Sequence, residues 1–221
     1  LKTMILKWNA HEFEAMRDYA RDLGVPFRHD GVLNPRVDCG AHRHPNLQVR
    51  PERIVELDFS DPVRQRQFLT TTQEILCQDK SWTPGEFVYT CGGGRTGFAV
   101  DPYGRLLLCL LARRSGYDLR TGSFRTGWHE FLPRLRERRW SSDAPCRTCT
   151  LLPLCQNCPG VAEAETGDPE AQVELCCRIT HLRVHALLGE SCGHQADAHC
   201  CLGSPALADP AAGGTDETPS A

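Results

Sequence analysis

No stretch of this sequence approaches the roughly eighteen consecutive apolar residues that a bilayer-spanning helix needs, so no membrane span is expected. Charge of either sign is nearly absent in net terms. The 25 Lys and Arg stand against 28 Asp and Glu, and a net charge of -3 gives no basis for attraction to nucleic acid or an anionic membrane. The first residues lack the basic, then apolar, then small-residue order of a secretory signal, and a cytoplasmic location is expected. No internal repeat is present. Apolar residues are not scarce: at 40% of 221 residues they suffice for one large core or two small ones.

Against this background 13 cysteines are an extreme number. An odd count in a chain of this length without a signal argues against a disulfide framework, and clustered thiols in a reducing compartment point to metal.

The coarse organisation begins with LKTMILKW, read as a short strand. Asn9 is placed to cap a helix from about Ala10 to Leu23, with Glu12 completing a capping box. Phe13, Met16, Tyr19, Ala20 and Leu23 would form its apolar face, and Gly24 would end it before a second strand in VPFRHD. Strand, helix, strand at this length is a β-α-β signature, and a chain opening on it is expected to begin inside a larger fold. Residues 31–51 read as loop, followed by a short helix, a break at Asp61-Pro62 and a longer helix to about Gln78. FAVDPYGRLLLCLL reads as a β-hairpin turning on Asp101-Pro102-Tyr103-Gly104. Helices are expected over Trp128–Arg138 and from about Ala171 to Leu188, with a disordered tail by composition beyond Gly189.

The cysteines after Tyr89 fall into three clumps: Cys91 and Cys109, the block Cys146, Cys149, Cys155 and Cys158, and the pair Cys176-Cys177. They suffice for two four-ligand sites. Zinc takes a tetrahedron at about 2.3 Å, usually from two C-x2-C knuckles a dozen or more residues apart. Here five residues separate the knuckles, which makes a single-ion site cramped but leaves it open. The thiolates around a cubane stand farther apart, and Pro159 after Cys158 parallels the proline after the last cysteine of bacterial ferredoxins, so spacing favours iron–sulfur. The glycines of CGGGRTGF read as a cluster-binding loop or as plain turn glycines; without a following lysine they are not a phosphate loop.

The segments CGGGRTGFAVDPYGRLLLC, CRTCTLLPLCQNC and ELCCR, in that order, resemble the SPASM domain over about residues 86 to 188. That domain is the C-terminal extension of radical S-adenosylmethionine enzymes that modify peptides and proteins. LKTMILKWNAHEFEAMRDYARDLGVPFRHDGVLNPR is similar, less specifically, to the last β/α elements of the barrel that precedes it. The resemblance implies an α+β fold: the end of a partial TIM-like barrel in 1–35, a helical linker in 36–85, a SPASM domain in 86–188 and a tail in 189–221. It implies two [4Fe–4S] clusters. Cys91, Cys109 and Cys158 match the ligands of one; Cys146, Cys149 and Cys155 match the other, joined by Cys176, with Cys177 as the alternative. Implied partners are a ribosomally made peptide substrate, a peptide-recognition protein and an electron donor.

Three departures accompany the resemblance. The last gap of the block is two residues where the family has three, and the first cluster lacks an evident fourth thiolate. The family's Cys-x3-Cys-x2-Cys triplet, which binds the catalytic cluster that holds S-adenosylmethionine, does not occur. The chain is therefore expected to be the C-terminal part of a longer enzyme, or a truncated relative, with S-adenosylmethionine and a third cluster only in the parent enzyme. No catalytic residue is assigned to it, and alone it should not cleave S-adenosylmethionine.

Other candidates have plainer readings. Cys39, His42 and His44 lack a fourth ligand and read as loop residues; Cys77 reads as a small core residue. Cys192, His194, His199, Cys200 and Cys201 read as an incidental tail. Arg134, Arg136, Arg138 and Arg139 read as a solvated helix end, with docking of an acidic peptide as the sharper idea. The rival from another class is a zinc-stabilised interaction module without redox activity.

Overall fold

The computed structural model describes residues 1–34, 46–76 and 85–188, so Cys39, His42, His44, Cys77 and the expected tail lie outside the described residues. The architecture is mixed α+β. Strands β1 (Lys2–Met4) and β2 (Arg28–Asp30) pair in parallel, Thr3 opposite His29, and helix α1 (Phe13–Asp22) makes the crossover that parallel pairing requires. Phe13 and Ala20 are buried and Met16 packs against the same core, whereas Tyr19 and Leu23 stand 60% and 54% exposed. The true stripe is therefore narrower than the expected one. Gly24 takes φ +66 and closes the helix, a left-handed conformation that suits glycine.

The expected capping box does not form. Asn9 turns its side chain back toward the strand instead: Leu6 N–H donates to its Oδ1 at 2.7 Å, and its Nδ2 donates to the Met4 carbonyl at 3.0 Å. A 3-10 turn over Ala10–Glu12 then leads into α1. Helices α2 (Pro51–Phe59) and α3 (Pro62–Leu76) break where Asp61-Pro62 suggests, with Asp61 Oδ1 accepting from Val63 N–H at 2.9 Å to start α3.

The hairpin also forms. β3 (Ala99–Val100) and β4 (Arg105–Leu107) pair antiparallel around a turn in which Gly104 takes φ +78. Asp101 organises it: Oδ1 accepts from the Tyr103 and Arg105 N–H groups and Oδ2 from Arg105 Nε. A third strand absent from the sequence reading, β5 (Gly116–Asp118), adds to β4. The helical run that follows starts earlier than expected. It comprises α4 (Phe124–Thr126), a π-helical turn over Gly127–Phe131 and α5 (Leu132–Arg136). Gly127 is needed where it sits, because a Cβ there would lie 2.6 Å from Leu106 Cδ2. The remaining elements are α6 (Pro145–Thr148), a 3-10 turn over Leu152–Leu154, α7 (Pro159–Thr166) and α8 (Glu174–Leu188).

Two apolar cores result. Ile5, Phe13, Val32, Ile54 and Leu57 from the first sixty residues pack with Val161, Ala162, Val173, Cys176 and Ile179 from α7, the segment after it and α8. Val88, Tyr89, Leu106, Leu108 and Leu132 form the second core, beneath the hairpin. The α8 helix lies on α2 and α3, and a buried charge network ties them. Asp58 Oδ2 accepts from Arg183 Nε and Nη2 at 3.0 and 2.6 Å, while Oδ1 meets His29 Nε2 at 3.0 Å and Arg64 Nη2 at 2.8 Å. Burial alone would raise the Asp58 carboxyl, but the His29 bond and the charges of Arg183 and Arg64 outweigh it and hold it below the ordinary value. Among the described residues no helix is long and apolar enough to cross a membrane.

Candidate metal centre

The eight described cysteines are thiols rather than disulfides; seven of them separate into two groups, and Cys176 lies in the core. The first is enclosed. Cys146 at the start of α6, Cys149 just after it, Cys155 after the 3-10 turn and Cys177 on α8 line one small cavity, together with Leu151, Leu152, Asn157, Thr180 and His181. Helical geometry explains why Cys177 is there and Cys176 is not. Adjacent helix positions point about 100° apart. Cys176 shares the core face with Val173 and Ile179, fully buried, whereas Cys177 shares its face with Thr180 and His181 at i+3 and i+4.

Asn157, which the sequence reading passed over, is wired into this cavity. Its backbone N–H donates to Cys155 Sγ at 3.4 Å, and its Nδ2 donates to Cys146 Sγ at 3.5 Å and to the Ala171 carbonyl at 3.3 Å. Its Oδ1 is buried without a hydrogen-bond partner. The clue in the sequence was an amide between two cysteines of a C-x2-C knuckle. Burial alone lowers the pKa of His181 from its ordinary value, which favours the neutral imidazole beside these thiols.

The second group, Cys91, Cys109 and Cys158, lies nearer solvent: Cys91 is exposed and the other two are half-buried. Cys158 caps α7, its Sγ accepting from Val161 N–H at 3.4 Å. Burial pushes its thiol up in pKa, the Val161 and Gly160 N–H groups pull it down, and Cys109 and Cys91 nearby raise it again. Cys109 Sγ accepts from Ala112 N–H at 3.3 Å, and Gly160 admits it: a Cβ on Gly160 would stand 3.2 Å from that sulfur. Gly93 and Gly94 have comparable roles at Cys91. A Cβ on Gly93 would crowd Leu108, and Gly94 takes φ +68. Arg136 Nη1 then clamps the loop by donating to the Cys91 carbonyl at 2.6 Å and to the Gly93 carbonyl.

The basic run is consequently more than a solvated face. Arg136 holds the glycine loop, Arg138 pairs with buried Glu170, and Arg139 pairs with Glu86 over the Phe87 ring. Two buried glutamates brace the two thiol groups. Glu163 Oε1 accepts from Arg114 N–H at 2.8 Å, and its Oε2 accepts from the Tyr89 hydroxyl at 3.5 Å, joining α7 to the flanks of Cys91 and Cys109. Burial and the Glu163 charge push the Tyr89 phenol up. Glu170 accepts from the N–H and hydroxyl groups of Ser141 and Ser142, at 2.8–3.0 Å, just ahead of Cys146. Burial would raise its carboxyl, but these serine bonds dominate and hold it at about 2.

Among the described residues no three Cys, His, Asp or Glu side chains converge closely enough to hold one metal ion. Four thiols facing a shared cavity, with amide donors aimed at two of the sulfurs, nonetheless fit a thiolate-bound cluster, whose ligands surround a volume rather than a point. No family model matches the chain, and no curated protein is significantly similar to it.

Proposed function

We propose that this chain is the SPASM-type, iron–sulfur-binding portion of a radical S-adenosylmethionine enzyme that matures a ribosomally made peptide. The observation that carries this reading is the sorting of the thiols into an enclosed set of four and a more open set of three. The first set has the ligand count of a cubane. The second has three thiols and leaves room for a ligand from elsewhere. Bound clusters would supply an electron path, or a coordination position for a substrate group.

The protein's own side chains would do the rest. Asn157 N–H groups would stabilise thiolate charge on Cys146 and Cys155, the Val161 N–H would do so on Cys158, and Arg136 would hold Cys91 in place. Leu151 and Leu152 would keep water from the enclosed set. Four thiols bordering one cavity favour a cluster over the zinc-stabilised module, because the ligands of a cubane stand farther apart than the thiolates of a single tetrahedral zinc. Anaerobic reconstitution and elemental analysis test the reading. About eight irons with matching sulfide are expected for two cubanes, whereas one or two zincs without sulfide would overturn it.

A further inference from the structure

An open pocket of about 360 Å³ lies between α3, the 3-10 turn at Leu152–Leu154 and α8. The charged groups lining it are two arginines, Arg64 and Arg183; the remainder of its wall includes Phe68, Thr71, Leu154 and Val184. Behind it both guanidiniums share the single carboxylate of Asp58, so one positive charge exceeds its partners. Arg183 is nearly buried, its side chain 7% exposed, and its guanidinium stacks over the Phe68 ring at 4.9 Å, with that of Arg64 at 5.4 Å. Arg64 Nε is buried and makes no hydrogen bond. Among the described residues Nη1 of neither guanidinium is engaged.

We infer that this pocket is a binding site for a small organic carboxylate carrying an apolar body. Excess positive charge and unspent N–H donors, held rigid by Asp58 and Phe68, call for an anion. The planar fork of a guanidinium matches a carboxylate, and the apolar wall of Phe68, Leu154 and Val184 would cover the rest of the ligand. The volume falls within the ordinary range for small-ligand sites. Thr180 borders both this pocket and the cysteine cavity, so the ligand would sit one side chain from the enclosed thiols. The inference rests on the arginines and the apolar wall beside them and stands whether or not the thiols bind a cluster.

The probe is N-acetyl-phenylalanine, titrated into the full chain while the amide signals of Thr71, Thr180 and Val184 are followed by NMR. Saturable shifts are expected at these residues. They should weaken by about tenfold for N-acetyl-phenylalanine amide, since loss of one charge-assisted contact is worth a factor of that order. Arg64→Gln should weaken binding similarly. Thr71→Trp, which fills the pocket without touching Asp58, should abolish it, with folding of both variants checked by circular dichroism. Absence of saturable binding, equal binding of the amide, or unaltered binding by Thr71→Trp would overturn the inference. Tighter binding of inorganic phosphate than of N-acetyl-phenylalanine would overturn the carboxylate assignment.

Discussion

The enclosed thiol group and the open one are built from the same residue type and differ in almost everything around it. Cys146 and Cys177 are buried, and Glu170 anchors the approach to them with four hydrogen bonds from Ser141 and Ser142 and an ion pair with Arg138. Cys91 is exposed, and Glu163 braces its group with two hydrogen bonds, one of them 3.5 Å long. A site with four thiols, two of them buried, is suited to retention. One with three thiols and an exposed edge can admit a further group. The contrast teaches that thiol count and spacing set what a site can hold, while the second layer of hydrogen bonds sets how firmly it holds it.

The comparison breaks most visibly at the neighbouring cysteines of α8. Cys177→Ala should remove about half of the iron and sulfide of the reconstituted protein, one cubane of two, while Cys176→Ala keeps the iron and lowers only thermal stability. Equal iron loss in both variants would erase the distinction between the cavity face and the core face. Next in size is Glu170→Gln, which leaves the donors of Ser141 and Ser142 imperfectly matched around a buried side chain and should cost roughly 1–3 kcal/mol in a denaturant titration.

The same glutamate gives the pH dependence its sign. Its folded value of about 2 lies below the ordinary 4.5, so its contribution is complete above pH 4.5 and is lost as pH falls toward 2. Acid titration of Glu170→Gln should show a flatter loss across that window. A smaller effect, about 1 kcal/mol, is expected for Glu163→Gln, with fewer bonds at stake. The smallest is Gly160→Ala. Its Cβ would press on Cys109 Sγ and Leu111, a strain that improved helix propensity partly offsets, for a net loss of about 0.5 kcal/mol. Its iron loss should be confined to the open group, which spectroscopy of the residual cluster in Cys177→Ala/Gly160→Ala would read.

Local signals carried much of this fold. The β-α-β unit, the break at Asp61-Pro62, the Asp101–Gly104 turn and the last helix follow from periodicity, proline and glycine, although α1 and α8 each begin three residues later than those residues suggest, at Phe13 and Glu174. What local signals missed depends on partners far away in sequence. Asn9 had a capping pattern, but the carbonyl of Met4 and the N–H of Leu6 took its side chain. The π-helical turn begins at Gly127, which lies against Leu106, twenty-one residues earlier. At the candidate site, Cys146, Cys149 and Cys155 were legible as a set. The choice between Cys176 and Cys177 needed the direction in which α8 presents its core face, although Ile179 against Thr180 and His181 already hints at it. The Asp58 network reaches Arg183, 125 residues further along the chain, and nothing local announces it.

The place of Cys177 on α8 has a consequence for when the enclosed site can exist. Translation delivers Cys146, Cys149 and Cys155 first, with α8 and its docking surface on α2 made more than a hundred residues apart. A nascent chain cannot close the fourth side until α8 has left the ribosome and folded back on segments made long before. Any cofactor of this site is therefore fitted late, and the three earlier thiols need protection from oxidation in the interval.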